Sequence, residues 1–303
     1  MKKHLSPILL TLAAIIWGFA FSAQKAAGGV PPLTLGAIRS LIAAAFLLLV
    51  IIAFDKLFNT GRFIFKKKRI FDLTRHEILG GAICGVILAV ASFFQQTGMN
   101  RGSEAGKASF ITALYVVLVP IYALALKKRA PLNVWLSMIP AVIGFYLLCV
   151  GDGFKIAPAD IYVVICALIF PLHILVIDHF SPRLDGVRMS FVQFITAAIV
   201  NAALALIFES PVPSSVITDA ALPLLFLGIG SSGIAYTLQI LGQRGENPAA
   251  ASILLSLESV FGVVGSAILL REQMSPKEYI GCAAIFVAVI LSQLDFKSGK
   301  LTS

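Results

Sequence analysis

Charge is what this sequence has least of. Asp, Glu, Lys and Arg make up only 13% of its 303 residues, against 58% apolar residues. A domain solvated by water on all sides carries about 25% charged residues. At half that density, a single soluble domain with one very large core is excluded, and most of the surface has to meet hydrocarbon. Cysteine is scarce too. Cys84, Cys149, Cys166 and Cys282 all fall in apolar stretches, none with metal-ligand spacing and none in an aqueous loop. That pattern indicates packing rather than a disulfide framework or a metal site. The period-2 alternation of a membrane barrel is missing. So are the paired-Asp, His-Glu-x-x-His, phosphate-loop and Gly-x-Ser-x-Gly motifs, which speaks against an enzyme. No dedicated cofactor site is found.

What the chain does have is charge-free runs: 5–24, 40–54, 78–100, 108–126, 130–151, 161–177, 189–208, 220–243 and 279–294. A tenth, 247–270, is interrupted only by Glu258. With flanking residues most reach about 20, which at 1.5 Å rise per residue spans a hydrocarbon core of about 30 Å. The run at 40–54 reaches that length only if 33–38 joins it, which places Arg39 inside a span. Lipid cannot satisfy free backbone groups, so the spans are predicted to be helices. The first run resembles a signal peptide, with Lys2 and Lys3 before it. Its apolar length and the nine spans that follow make it a retained first helix. The predicted fold class is an all-α polytopic membrane protein of ten transmembrane helices, with almost nothing left over for a soluble domain.

Counted over ten spans, seventeen of the 24 Lys and Arg residues fall on the side of the N-terminus and six on the other, with Arg39 intramembrane. The positive-inside rule then places both termini in the cytoplasm of a cell with this protein in its inner or plasma membrane. The formal net charge of +9 follows from the same rule. The basic cluster at 66–69 faces anionic lipid headgroups rather than nucleic acid.

Sliding the chain by 143 residues aligns its halves. The identical pairs between 96 and 126 are Gln96/Gln239, Arg101/Arg244, Gly102/Gly245, Ala108/Ala251, Ser109/Ser252, Leu114/Leu257, Val117/Val260 and Leu126/Leu269. Two repeats of five spans, 1–151 and 152–303, are expected. Five is odd, so the second repeat enters the membrane from the opposite side. Inverted repeats of this kind build many secondary transporters, with substrate sites near the midplane between the repeats.

Glu258 is the most informative residue, because it falls near the centre of its span. A carboxylate there costs several kcal/mol unless it is paired, protonated or facing water. It reads either as a substrate or proton site, or as a structural acid hydrogen-bonded between helices. Its repeat mate is Tyr115, so one half offers a carboxyl and the other a phenol, a combination suited to a small amine or amino acid. Arg39 needs an anion, backbone carbonyls or a route to the interface. A substrate carboxylate, a pair with Glu258 and a structural anchor all remain open for it. His173 follows Pro171 and reads as a proton relay or a packing histidine. Gln96 and Gln239 should face the interior. Pro120, Pro140 and Pro171 are expected to interrupt the fourth, fifth and sixth spans. Gly81, Gly85, Gly228, Gly230 and Gly233 are expected to let helices approach closely.

The run IIWGFAFSAQKA followed by LGAIRS resembles the start of drug/metabolite transporter superfamily proteins with EamA domains. GKASFITALYVVLVP resembles the fourth-helix signature of one branch, and ASILLSLESVFGVVGSAILLREQMS the ninth-helix signature, over essentially the whole chain. The resemblance implies ten helices in two inverted halves around a central cavity, and export of amino acids or other small metabolites, often with protons. By motif match Trp17, Arg39, Tyr115, Glu258 and Glu272 carry over. Arg39 and Glu272 are taken as structural or gating charges. Ser259 stands where the family commonly has proline, and Arg271 where it has glycine.

The expected function is therefore a secondary transporter for a small polar metabolite, with a cavity lined by Trp17, Gln96, Tyr115, His173, Tyr236, Gln239 and Glu258. A non-transporting sensor and a channel are the rival readings. Partners are a small-molecule substrate, protons as a candidate coupling ion, and the lipid bilayer. Both a monomer and a homodimer fit.

Overall fold

The computed structural model describes residues 5–59, 73–149, 157–269, 271 and 275–294, and every regular element among them is helical. The helices are α1 (Leu5–Ala26), α2 (Pro32–Asn59), α3 (Arg75–Asn100), α4 (Ala105–Ala125), α5 (Leu132–Cys149), α6 (Pro158–Phe180), α7 (Gly186–Phe208), α8 (Ala221–Gly242), α9 (Pro248–Leu269) and α10 (Pro276–Gln293). Among the described residues, eight of these are long and apolar enough to cross a membrane. The apolar parts of α5 and α10, Leu132–Leu147 and Tyr279–Gln293, are shorter.

Polarity is distributed as lipid demands. Leu49, Leu206, Ile207, Leu222 and Ile290 stand exposed on the outside, while Arg39, Gln96, His173, Gln193, Gln239 and Glu258 are buried. Hydrocarbon outside favours apolar side chains on the surface, and polar groups are left to find partners, or a cavity, within the bundle.

The helices pack in related pairs. The pairing of α3 with α6 has its counterpart in α8 with α1, that of α1 with α9 in α6 with α4, and that of α3 with α7 in α8 with α2. The pairs α2–α7, α4–α9 and α5–α10 join helices that occupy the same place in each half. Two of these contacts depend on glycine. A Cβ on Gly18 would run into the backbone and Cβ of Phe261, and one on Gly262 would run into the Ser109 side chain, so α1, α4 and α9 touch almost backbone to backbone.

The turns repeat as well. At the end of α3, Gly102 at φ +114° lets its N–H reach Met99 O at 3.2 Å and the Ser103 N–H reach Gly98 O at 3.0 Å. That closes the helix in a Schellman motif. Gly245 at φ +81° occupies the equivalent turn after α8. The same motif after α4 is built on Lys127 at φ +59°, with Lys127 N–H to Leu124 O at 2.9 Å and Lys128 N–H to Ala123 O at 2.9 Å.

The prolines do not interrupt helices as the sequence predicts. α5 runs on through Pro140 and α6 through Pro171, and Pro120 lies within a continuous segment, Tyr115–Ala125. One missing N–H leaves a single carbonyl free, which a packed bundle accommodates. The breaks lie elsewhere. α4 is interrupted at Ala113 and Leu114, and α9 at Ser256. The two sites are related by the same 143-residue offset as the sequence repeat. At both, N–H groups turn to carbonyls three residues back: Val116 to Ala113 at 3.0 Å and Ser259 to Ser256 at 3.1 Å. Ser259 thus does not prevent a break in α9.

α8 departs from regularity in another way. Phe226–Ala235 is wound as a π-helix, a form concentrated at functional sites. Gly228 and Gly233 in this stretch pack against Ile42 and Phe46 of α2, where a Cβ would collide with either side chain.

Candidate substrate cavity

The two breaks and the π-helix meet at one place. A cavity lies between α1, α2, α3, α4, α6, α8 and α9. Trp17, Tyr115, Tyr236, Gln239 and Glu258 line it together with Arg39. Tyr115 is the first residue after the break in α4, and Glu258 lies in the first turn after the break in α9.

Glu258 is only 4% exposed, and among the described residues it has no cationic partner. Its carboxyl lies near enough to the Tyr115 hydroxyl for the two to interact, yet neither Glu258 Oε1 nor Tyr115 Oη makes a hydrogen bond of good geometry. A carboxyl oxygen buried in the membrane without a donor is costly.

Arg39 is 7% exposed and faces the same space. Its Nε donates to Ser232 Oγ at 3.0 Å and its Nη2 to Ser231 Oγ at 3.1 Å. Both serines belong to the π-helical stretch, whose wider turn presents neighbouring hydroxyls to one guanidinium. The Trp17 indole N–H donates to the backbone carbonyl of Ser231 at 3.1 Å. Its ring packs on Tyr236 with centroids 4.6 Å apart. Tyr236 shares the cavity wall with Arg39 and Glu258.

Gln96 and His173 stand just behind the wall. Gln96 Nε2 donates to Gln24 O at 3.2 Å and Asn100 Oδ1 at 2.7 Å, leaving its own Oε1 without a partner. His173 Nε2 pairs with Gln193 Oε1 at 3.0 Å, and its ring meets the edge of Tyr236 at 5.6 Å. Glu272 lies outside the described residues. Gln24, Gln95, Thr112 and Ser231 line the cavity, and the sequence reading missed all four. Gln24 and Gln95 were detectable, being amides in charge-free runs. Ser231 was not, because a serine in a glycine-rich apolar run reads as ordinary helix packing. Among the described residues no cluster of three His, Cys, Asp or Glu side chains is placed to hold a metal ion.

Ion pairs close both ends of the bundle. Arg188 of α7 reaches Asp55 of α2 at 3.0 Å and Asp185 at 2.9 Å, and Lys128 pairs with Asp178. At the opposite end Lys107 pairs with Asp160 at 2.5 Å. There too, Glu209 accepts the N–H groups of Leu33 and Thr34 at 2.7 and 2.8 Å, capping the start of α2.

Comparison with known proteins agrees with this architecture. An uncharacterized transporter of Archaeoglobus fulgidus is 30% identical over 304 residues, covering 97% of this chain and 87% of that protein. A protein known from a crystal structure superposes with a TM-score of 0.72 at 20% identity, over 95% of this chain and 96% of its own. The profile of the EamA-like transporter family matches twice, over residues 4–150 and 157–294. The chain belongs to the EamA-like transporter family, within the drug/metabolite transporter superfamily, and is a multi-pass membrane transporter.

Proposed function

We propose that the protein is a secondary transporter that exports a small polar metabolite, an amino acid or a related compound, across the cytoplasmic membrane by alternating access. The observation that carries this reading is Glu258, a buried carboxyl without a cationic partner among the described residues, on the wall of a cavity midway along its span. In this reading the protein crosses the membrane ten times, as two inverted halves, 1–151 and 152–303. The paired helix contacts and the equivalent breaks in α4 and α9 support that arrangement. So does helix length, since α5 and α10 have 18 residues each. That is about 27 Å of helix, within the mismatch that flanking residues or local thinning absorb. The excess of Lys and Arg on one side supports cytoplasmic termini.

In this mechanism Trp17, Tyr115, Tyr236, Gln239 and Glu258 contact the substrate, with Gln96 and His173 behind them. Glu258 binds either a proton or the ammonium group of the substrate, so that arrival of one releases the other. The halves rock about the cavity, and the ion pairs at the two ends open in turn.

Solute counterflow in proteoliposomes, with labelled amino acids and small amines, tests the reading. Wild-type protein is expected to accumulate at least one of them transiently, with competition from unlabelled compound. Glu258→Gln is expected to abolish coupled transport while the protein stays folded in the membrane. Wild-type rates in that variant would remove Glu258 from the mechanism.

A further inference from the structure

Resting on the carrier reading above, the geometry points to a substrate bound as a net-neutral zwitterion, its carboxylate held by Arg39 and its ammonium by Glu258 and Tyr115.

A guanidinium and a carboxyl line one cavity, and among the described residues no ion pair joins them. Among the described residues Arg39 is bonded to the neutral hydroxyls of Ser231 and Ser232, and no carboxylate compensates it. An isolated buried charge is strongly unfavourable. A guanidinium carries five N–H donors, and the two serines use Nε and one N–H of Nη2. The end-on pair, Nη1 with the remaining N–H of Nη2, stays available for a bidentate carboxylate.

Glu258 presents the complementary case, with Oε1 and the Tyr115 hydroxyl both unpartnered. An ammonium group has three donors to satisfy them. Tyr236 shares the wall with both groups.

Simpler ligands fit less well. An amine would satisfy Glu258 and leave Arg39 uncompensated, while an anion would satisfy Arg39 and leave Glu258 and Tyr115 without partners. A zwitterion compensates both. Among the described residues no third charged side chain lines the cavity, and Phe21, Phe170, Ile174 and Leu255 complete much of its wall. The group between the two charged ends is therefore uncharged.

The test is counterflow in proteoliposomes with each uncharged L-amino acid, its amide and its 2-hydroxy acid. The amide removes the negative end and the hydroxy acid the positive end at nearly constant shape. At least one amino acid is expected to accumulate, with both of its derivatives at least tenfold slower. Arg39→Gln should bring the amide level with the amino acid, and Arg39→Lys should retain much of the discrimination. An amide transported as fast as its amino acid by wild-type protein overturns the role of Arg39 and leaves the carrier reading standing. A hydroxy acid transported equally fast overturns the role of Glu258 as the ammonium site. No accumulation of any compound, with the protein shown to be inserted, overturns both the inference and the reading beneath it. Should Arg39→Gln not fold, the wild-type comparison alone decides.

Discussion

At the scale of single residues, this protein is most sensitive where side chains are absent. Gly262 faces Ser109 and Gly18 faces Phe261 so closely that neither position has room for a methyl group. Gly262→Val is expected to cost about 2–3 kcal/mol or more, because the collision is with a packed side chain beside backbone. Gly29→Ala is the control, since its Cβ would meet only Val216 at an ordinary 3.6 Å. Size-exclusion profiles in detergent report the difference: a monodisperse peak for Gly29→Ala and its loss for Gly262→Val. A normal peak from Gly262→Val would mean that α4 and α9 can separate cheaply. Residue chemistry was also the most legible part of the site. Glu258 stood out because hydrocarbon makes a mid-span acid expensive, and the repeat offset led from it to Tyr115. The serines that hold Arg39 left no such trace. Their contribution depends on how α8 is wound, and a hydroxyl in an apolar run carries little penalty to betray it.

At the scale of the element, helix positions were legible in the sequence and their irregularities were not. Long charge-free runs fix where a helix must be, because lipid leaves the backbone no other choice. Whether a helix breaks is decided by small differences in packing. The prolines therefore misled, and Ala113, Leu114 and Ser256, with no unusual chemistry, mark the breaks. One irregularity offers a direct measurement. Lys127 closes α4 in the left-handed region, a conformation unfavourable for any residue with a Cβ, and glycine fills the same role at Gly102. Lys127→Gly is expected to stabilise the protein by about 1 kcal/mol after the entropy of glycine in the unfolded chain is set against it. That is a rise of about 2–4 °C in thermal midpoint for a chain of this size. An unchanged or lower midpoint would mean that the Lys127 side chain contributes more than its backbone conformation costs. Arg271, at φ +58°, sits in the same left-handed region.

At the scale of the whole molecule, orientation is the property most open to test. In the proposed orientation, the short helix Ser214–Asp219 lies outside the cell and Arg129 inside. Both Ser215 and Arg129 are exposed. Cys84, Cys166 and Cys282 are buried, so a Cys149→Ala background should stay quiet towards a membrane-impermeant maleimide. In intact cells Ser215→Cys is expected to label, and Arg129→Cys only after permeabilisation; the reverse pattern would invert the topology. The bundle also divides its helices unequally. The cavity draws its wall from α1, α2, α3, α4, α6, α8 and α9, whereas α5 and α10 pack mainly on each other and turn Leu132, Ile139, Tyr146, Ile280 and Ile290 outwards. Selection on what is carried and selection on staying in the bilayer therefore act on different stretches of one gene. Lineages that change their cargo should record the change in the wall-forming helices, while α5 and α10 drift among apolar residues at little consequence.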